Sequence, residues 1–177
     1  MTAADIGLLI VRLALGLTFA AHGAQKALGW WSGSGFAGWT GAMNRMGLRP
    51  APLWAALSAG VELVGGLLLA VGFLTPVAAA LLVAQSAYIV LRVHRPKGFW
   101  NKNGGIEFPL QLLAGSLLIA ASGPGAIAID PAAGLEFGTW WRAAFLVVAL
   151  VGALATMAIA RPVPQPPPVA AAPTPPR

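Results

Sequence analysis

The chain has 177 residues, of which 11 are basic, 5 acidic and 58% apolar, with a net charge of +6 and no cysteine. Charged residues make up 9%, against about 25% in an ordinary soluble domain, too few to cover the surface of a soluble globule. A disordered chain, a disulfide scaffold and thiolate chemistry are excluded on the same figures, and an all-α integral membrane protein is expected.

A helix needs about 20 mostly apolar residues to cross the hydrocarbon. In chain order, the apolar stretches predict spans over 6–29, 52–74, 76–94, 106–122 and 140–160, the fourth of them short. Span one has Asp5 and no lysine in its leading region, and its apolar stretch is too long for a cleaved signal peptide, so it is expected to stay. Spans two and three are the clearest: Glu62 is the only charge between Arg49 and Arg92. Thr75-Pro76 divides them, and proline is well tolerated where a helix opens. The segment between spans one and two (WWSGSGFAGWTGAMNRMGLRPA) is apolar enough to lie in the interface, and equally readable as a packed connector. After span five, eight prolines crowd residues 162–177, predicting an extended, disordered tail.

Five spans place connections alternately on two sides. One side collects Arg45, Arg49, Arg92, Arg95, Lys97, Lys102, Arg161 and Arg177, whereas the other holds Asp5, Asp130, Glu136 and Arg142. The bias of basic residues predicts a cytoplasmic C-terminus and an outside N-terminus. The positive charge therefore reads as topology and as attraction to anionic lipid, not as a nucleic-acid partner.

Four charges remain in or at the edge of the spans: Arg12, Lys26, Glu62 and Glu107, summing to zero. Charges in hydrocarbon are costly and face partners in the bundle interior. At 100° per residue, Arg12, His22 and Lys26 share one face of span one, beside a small-residue stripe of Gly16, Ala20 and Ala24 that permits close helix approach. Glu62 lies roughly 15 Å from the basic end of its helix, near mid-membrane. His22, Gln25, Lys26, Glu62, Gln85, Tyr88, Glu107 and Gln111 all fall at midplane or in the basic half, and are expected to surround one polar pocket that binds a ligand such as quinone, relays protons, or serves structure alone. Arg12 lies nearer the other side. Lys26 and Glu107 are one expected ion pair. Haem is not expected, because His22 and His94 sit at different depths, and no metal or phosphate motif is present.

Four strings occur in order: RLALGLTFAAHGAQKALGW, VELVGGLLLAVGFLTP, NKNGGIEFPL and GPGAIAID. Together they resemble the DoxX family of small membrane proteins. The resemblance implies a compact four-helix membrane unit over 1–130, with a further transmembrane helix over 131–161 as a departure from the pattern. It also implies a likeness to the DoxD subunit of a thiosulfate:quinone oxidoreductase, and association with bacterial inner-membrane oxidoreductase assemblies that handle oxidative and thiol stress. The motifs fall on His22, Gly23, Gln25, Lys26, Glu62, Gly65, Gly66, Asn103, Gly104, Gly105, Glu107 and Pro109.

Three functions are in view. A redox-associated subunit would bind quinone or relay protons in the polar pocket and lean on an oxidoreductase partner for electrons, since no cofactor is expected on this chain itself. A non-catalytic scaffold would dock partners on its basic loops. A small transporter would use the neutral set of embedded charges, but the spans show no inverted repeat. Small-residue faces also favour homo-oligomers.

Overall fold

The computed structural model describes residues 1–160 and contains only helices, turns and loops there. The predicted proline-rich tail lies outside the described residues. Helix α1 spans Ala3–Leu28, α2 Gly35–Arg45, α3 Ala51–Val71, α4 Thr75–Lys97, α5 Glu107–Ser122 and α6 Thr139–Ile159. Four of these (α1, α3, α4 and α6) are long and apolar enough to cross a membrane. The 16 residues of α5 reach about 24 Å at 1.5 Å per residue, short of the roughly 30 Å hydrocarbon thickness. Thr2 caps α1 in a reciprocal pair with Asp5, and Gly29 closes it with φ 74°, a conformation that glycine adopts without a Cβ penalty.

Helix α1 packs against α3, and α4 sits at the centre with α3, α5 and α6 around it. The α1–α3 contact is close because glycines meet backbone. A Cβ on Gly66 would stand 2.6 Å from Ala20 N and Gly16 O, and one on Gly23 would run into the Leu63 backbone. Gly16 belongs to the small-residue stripe expected from the sequence. Gly66, on the facing helix, completes the seam. The main core then fills with Phe19, Leu69, Ala78, Ala79, Leu82, Val83, Ile119 and Ala120. Helix α6 lies at the periphery, where Ala153 is its only buried residue.

The segment after α1 is a packed connector rather than a surface-floating one. Helix α2 buries Met43, and Leu48 follows it into a second core with Ala55 and Ala160. Trp30, Trp31 and Phe36 remain exposed on its outer side, where amphipathic rings suit the headgroup level.

At the opposite end of the bundle, Asp130 was expected in an exposed connection but is fully buried. Its carboxylate accepts from Leu74 N at 2.7 Å and Thr75 N at 2.9 Å, and its own N–H donates to Gly72 O. Leu74 has φ 47°, a left-handed conformation that costs a side-chain-bearing residue about 1–2 kcal/mol. The two charged hydrogen bonds offset that cost and cap the start of α4. Arg12 also belongs here: it is 0% exposed, donates to Ile127 O, and lies over Gly72 within electrostatic range of Asp130. Asp130→Ala is expected to lower stability by about 1.5–3 kcal/mol per lost charged contact set, read as a fall in melting temperature in lipid nanodiscs. Asp130→Asn should recover part of it, since the amide oxygen still accepts one bond.

Candidate functional site

The π-type turn over Val61–Gly65 widens α3 locally and carries Glu62. Such turns inside α-helices occur often at functional sites. Glu62 is 2% exposed and faces α1 across the glycine seam. Lys26 Nζ stands 2.5 Å from each of its carboxylate oxygens. The ammonium also lies 4.3 Å from the centroid of the Trp39 ring, so α2 contributes a cation–π contact to the same charge. Trp39 Nε1 donates to Ser58 Oγ at 2.9 Å. Gln85 Nε2 donates to Glu62 Oε1 at 2.8 Å and to Ser58 O at 3.1 Å. One network thus joins α1, α2, α3 and α4 at the level of the π turn.

This network forms the back of a cavity of about 370 Å³ between α2, α3, α4 and α6. Gln85, Ser58, Trp39 and Tyr88 line it on the network side, and Met43, Met46, Trp54 and Val61 line it with Val148, Gly152 and Thr156 of α6. Glu62 and Lys26 do not themselves line it. They act one side chain deeper, by fixing the Gln85 amide. With its N–H groups committed to Glu62 and Ser58, the Gln85 Oε1 remains an acceptor without a protein donor among the described residues. The Tyr88 hydroxyl lies beside Arg92, whose Nη2 reaches Ala160 O at 3.4 Å. The cavity therefore carries the Gln85, Ser58, Trp39 and Tyr88 polar groups on its network side and is otherwise largely apolar apart from Thr156, a lining suited to an amphiphile. Leu57, Leu81 and Val148, on its rim, are 50%, 41% and 71% exposed. These residues belong to the spans, so the rim opens sideways toward lipid.

The structure brings together Lys26, Glu62 and Gln85 and places Tyr88 on the adjoining wall. It does not gather the other expected residues with them. His22 packs edge-on against Phe108, with ring centroids 5.9 Å apart. Gln25 is half-buried, and Gln111 is exposed on α5. Glu107 does not pair with Lys26; its Oε2 accepts Asn101 N at 2.9 Å and ties down the loop before α5. His94 holds the same loop through Gly104 O. Arg12 lies at the Asp130 end. The physical reason is the glycine seam: it brings the Lys26 turn of α1 onto α3 before the stem can reach α5.

Sequence reasoning missed Ser58, Trp39 and the whole α6 wall. Ser58 precedes Glu62 by four residues, a spacing that puts both on one helix face and was a readable signal. Trp39 carries an indole N–H that needs a partner when buried. Nothing in the α6 sequence marks it as a pocket wall, because small apolar residues look alike on lipid and protein faces.

Comparison with known proteins gives a consistent picture. The DoxX family model matches residues 7–95. An "Uncharacterized membrane protein Rv3486" of Mycobacterium tuberculosis is 33% identical over 135 residues, covering 68% of this chain and 77% of that protein. The "Putative oxidoreductase CatD" of Bacillus subtilis is 29% identical over 128 residues, covering 72% of this chain and 87% of its own. No solved structure matches. The matched family segment contains Lys26, Trp39, Ser58, Glu62, Gln85 and Tyr88 but stops before α6.

Proposed function

This chain belongs to the DoxX family, and from that premise we propose that it is the membrane subunit of an oxidoreductase assembly and holds a quinone headgroup in the cavity between α2, α3, α4 and α6. The observation that carries this reading is the largely apolar cavity into which the Gln85 amide is set by the buried Lys26–Glu62 pair. Tyr88 and Ser58 supply hydroxyl donors for a quinone carbonyl, and Gln85 Oε1 supplies an acceptor for the hydroxyl of the reduced form. Reduction takes up two protons with two electrons. The buried Glu62, paired with Lys26 and joined to the cavity wall through Gln85, positions that amide for the headgroup in this reading, and the two protons are drawn from bulk water. The electrons come from a partner, because thiol chemistry is closed to a chain with no cysteine. The oxidoreductase name of the CatD relative supports the class of assembly.

The test is purification in mild detergent with extraction and quantification of bound quinone. The wild type should carry substoichiometric to stoichiometric quinone, and Gln85→Leu should lose it about tenfold, or about 1.4 kcal/mol; because this variant also deprives Glu62 and Ser58 O of a donor, its quinone content is read at a temperature where its melting curve shows it folded. Equal quinone in both would overturn the reading. A stoichiometric protein partner without quinone would instead support a scaffold, docked on the exposed basic and aromatic segment that carries Arg95, Lys97, Phe99, Trp100 and Lys102.

A further inference from the structure

A second cavity, of about 320 Å³, runs along the seam between α3 and α4. It is lined by apolar side chains and glycines, including Gly60, Val64, Leu68 and Val77. Leu57, Val61 and Leu81 line both this groove and the polar-ended cavity. The two depressions therefore adjoin at these three side chains, with Gln85 on one side and an apolar groove on the other. From Leu57 to Leu68 the groove follows α3 for about 16 Å at 1.5 Å per residue, roughly half the 30 Å hydrocarbon thickness. A Cβ on Gly60 would meet nothing within 4 Å, so the missing side chain is part of the groove's free volume rather than of a helix contact.

We infer that the ligand of this site is a lipid-dissolved molecule with a hydrocarbon tail, and that its tail lies in the α3–α4 groove while its headgroup sits at Gln85, Ser58 and Tyr88. The inference rests on the reading of the polar-ended cavity as a quinone site and adds the class of ligand and its direction of entry. The shared Leu57, Val61 and Leu81 place the groove beside the headgroup cavity, within reach of a tail attached to that headgroup. The Leu57 and Leu81 rim opens to lipid, so entry is lateral, from within the bilayer. Moving a tail from lipid into an apolar groove brings no gain from leaving water, because lipid tails are as apolar as leucine. The groove's contribution is to orientation and shape. Filling it should therefore penalise long-tailed ligands by steric exclusion and leave a tailless headgroup unaffected.

The experiment compares binding of 6-decyl-2,3-dimethoxy-5-methyl-1,4-benzoquinone with that of the tailless 2,3-dimethoxy-5-methyl-1,4-benzoquinone, using the full chain in nanodiscs of defined phospholipid, with ligand expressed as its concentration in the membrane. Gly60→Phe and, as a second variant, Val64→Trp fill the groove, and their melting temperatures report whether the fold survives. The expected result is at least a tenfold loss of affinity for the long-tailed probe in both variants, with the tailless probe within twofold of wild type. Unchanged affinity for both probes would overturn the tail assignment and leave the groove to bulk acyl chains. Equal losses for both probes would overturn it too, by placing the substitutions' effect at the headgroup. If neither probe binds the wild type, the quinone reading itself fails, and the tail assignment falls with it.

Discussion

Replacing Glu62 with alanine should be the most damaging single change in the polar network. The substitution leaves the Lys26 ammonium, 15% exposed on its side chain, in the membrane half of α1 with only the Trp39 ring beside it. It also strips one Gln85 N–H of its acceptor. Breaking one partner of a buried pair costs about 3–5 kcal/mol, whereas replacing both by apolar groups of similar volume is often neutral. Lysine's flexible stem lets the charge move toward the headgroups, which places the expected loss near the lower end, about 3 kcal/mol. The double variant Lys26→Met, Glu62→Ala should recover most of it. Thermal unfolding followed by tryptophan fluorescence in nanodiscs checks this, arranged as a double-mutant cycle. A single-variant loss below about 1 kcal/mol would show the pair behaving as a surface salt bridge. Glu62→Gln still accepts from Gln85 but removes the counter-charge of Lys26, so it should lose part of the same stability.

The second large effect is expected at the α1–α3 seam. A Cβ on Gly66 would press on backbone atoms of Ala20 and Gly16, which cannot rotate away as a side-chain tip would. The two helices must separate. Gly66→Val should lose at least about 3 kcal/mol, the upper range of overpacking costs. It should also pull Lys26 from Glu62, since both depend on the same close approach. Gly7 is the control on α1: a Cβ there meets nothing within 4 Å, so Gly7→Ala should lie within about 0.5 kcal/mol of wild type. A melting temperature for Gly66→Val equal to that of Gly7→Ala would sink the account of the seam. Loss of quinone from Gly66→Val without loss from Gly7→Ala would tie helix spacing to the cavity.

These two results bear on how the molecule is built. The ion pair is not an ornament of a finished bundle, because the seam that permits it holds α3, whose Ser58 and Val61 line the cavity. The polar network spans four helices, so a change in one is felt by the ligand wall through Gln85. Meanwhile the Asp130 end works as a separate anchor, joining the loop before α6 to the start of α4 and burying Arg12. Each half of the bundle thus has its own buried carboxylate, held in a different way: by the Lys26 ammonium in one, by backbone N–H groups in the other, where Arg12 Nε and Nη1 have no hydrogen-bond partner among the described residues.

The sequence by itself determined the class of protein and most of its helices. Too few charges, long apolar stretches and turn residues such as Gly29 and Thr75-Pro76 act locally or by composition, and so are readable one residue at a time. Depth could be counted along each helix, and that count put Lys26, Glu62, Gln85 and Tyr88 at midplane or in the basic half. What only the tertiary structure decided was which neighbours share a level and also face each other. Glu62, rather than Glu107, takes Lys26, because Gly16, Gly23 and Gly66 bring α1 onto α3. Asp130 becomes a buried cap, because an acceptor was needed by Leu74 and Thr75, some 55 residues away in the chain. The α6 wall and the α3–α4 groove arise from how apolar faces meet. In a membrane, lipid and protein are equally good partners for such faces, so hydropathy carries no sign of the choice.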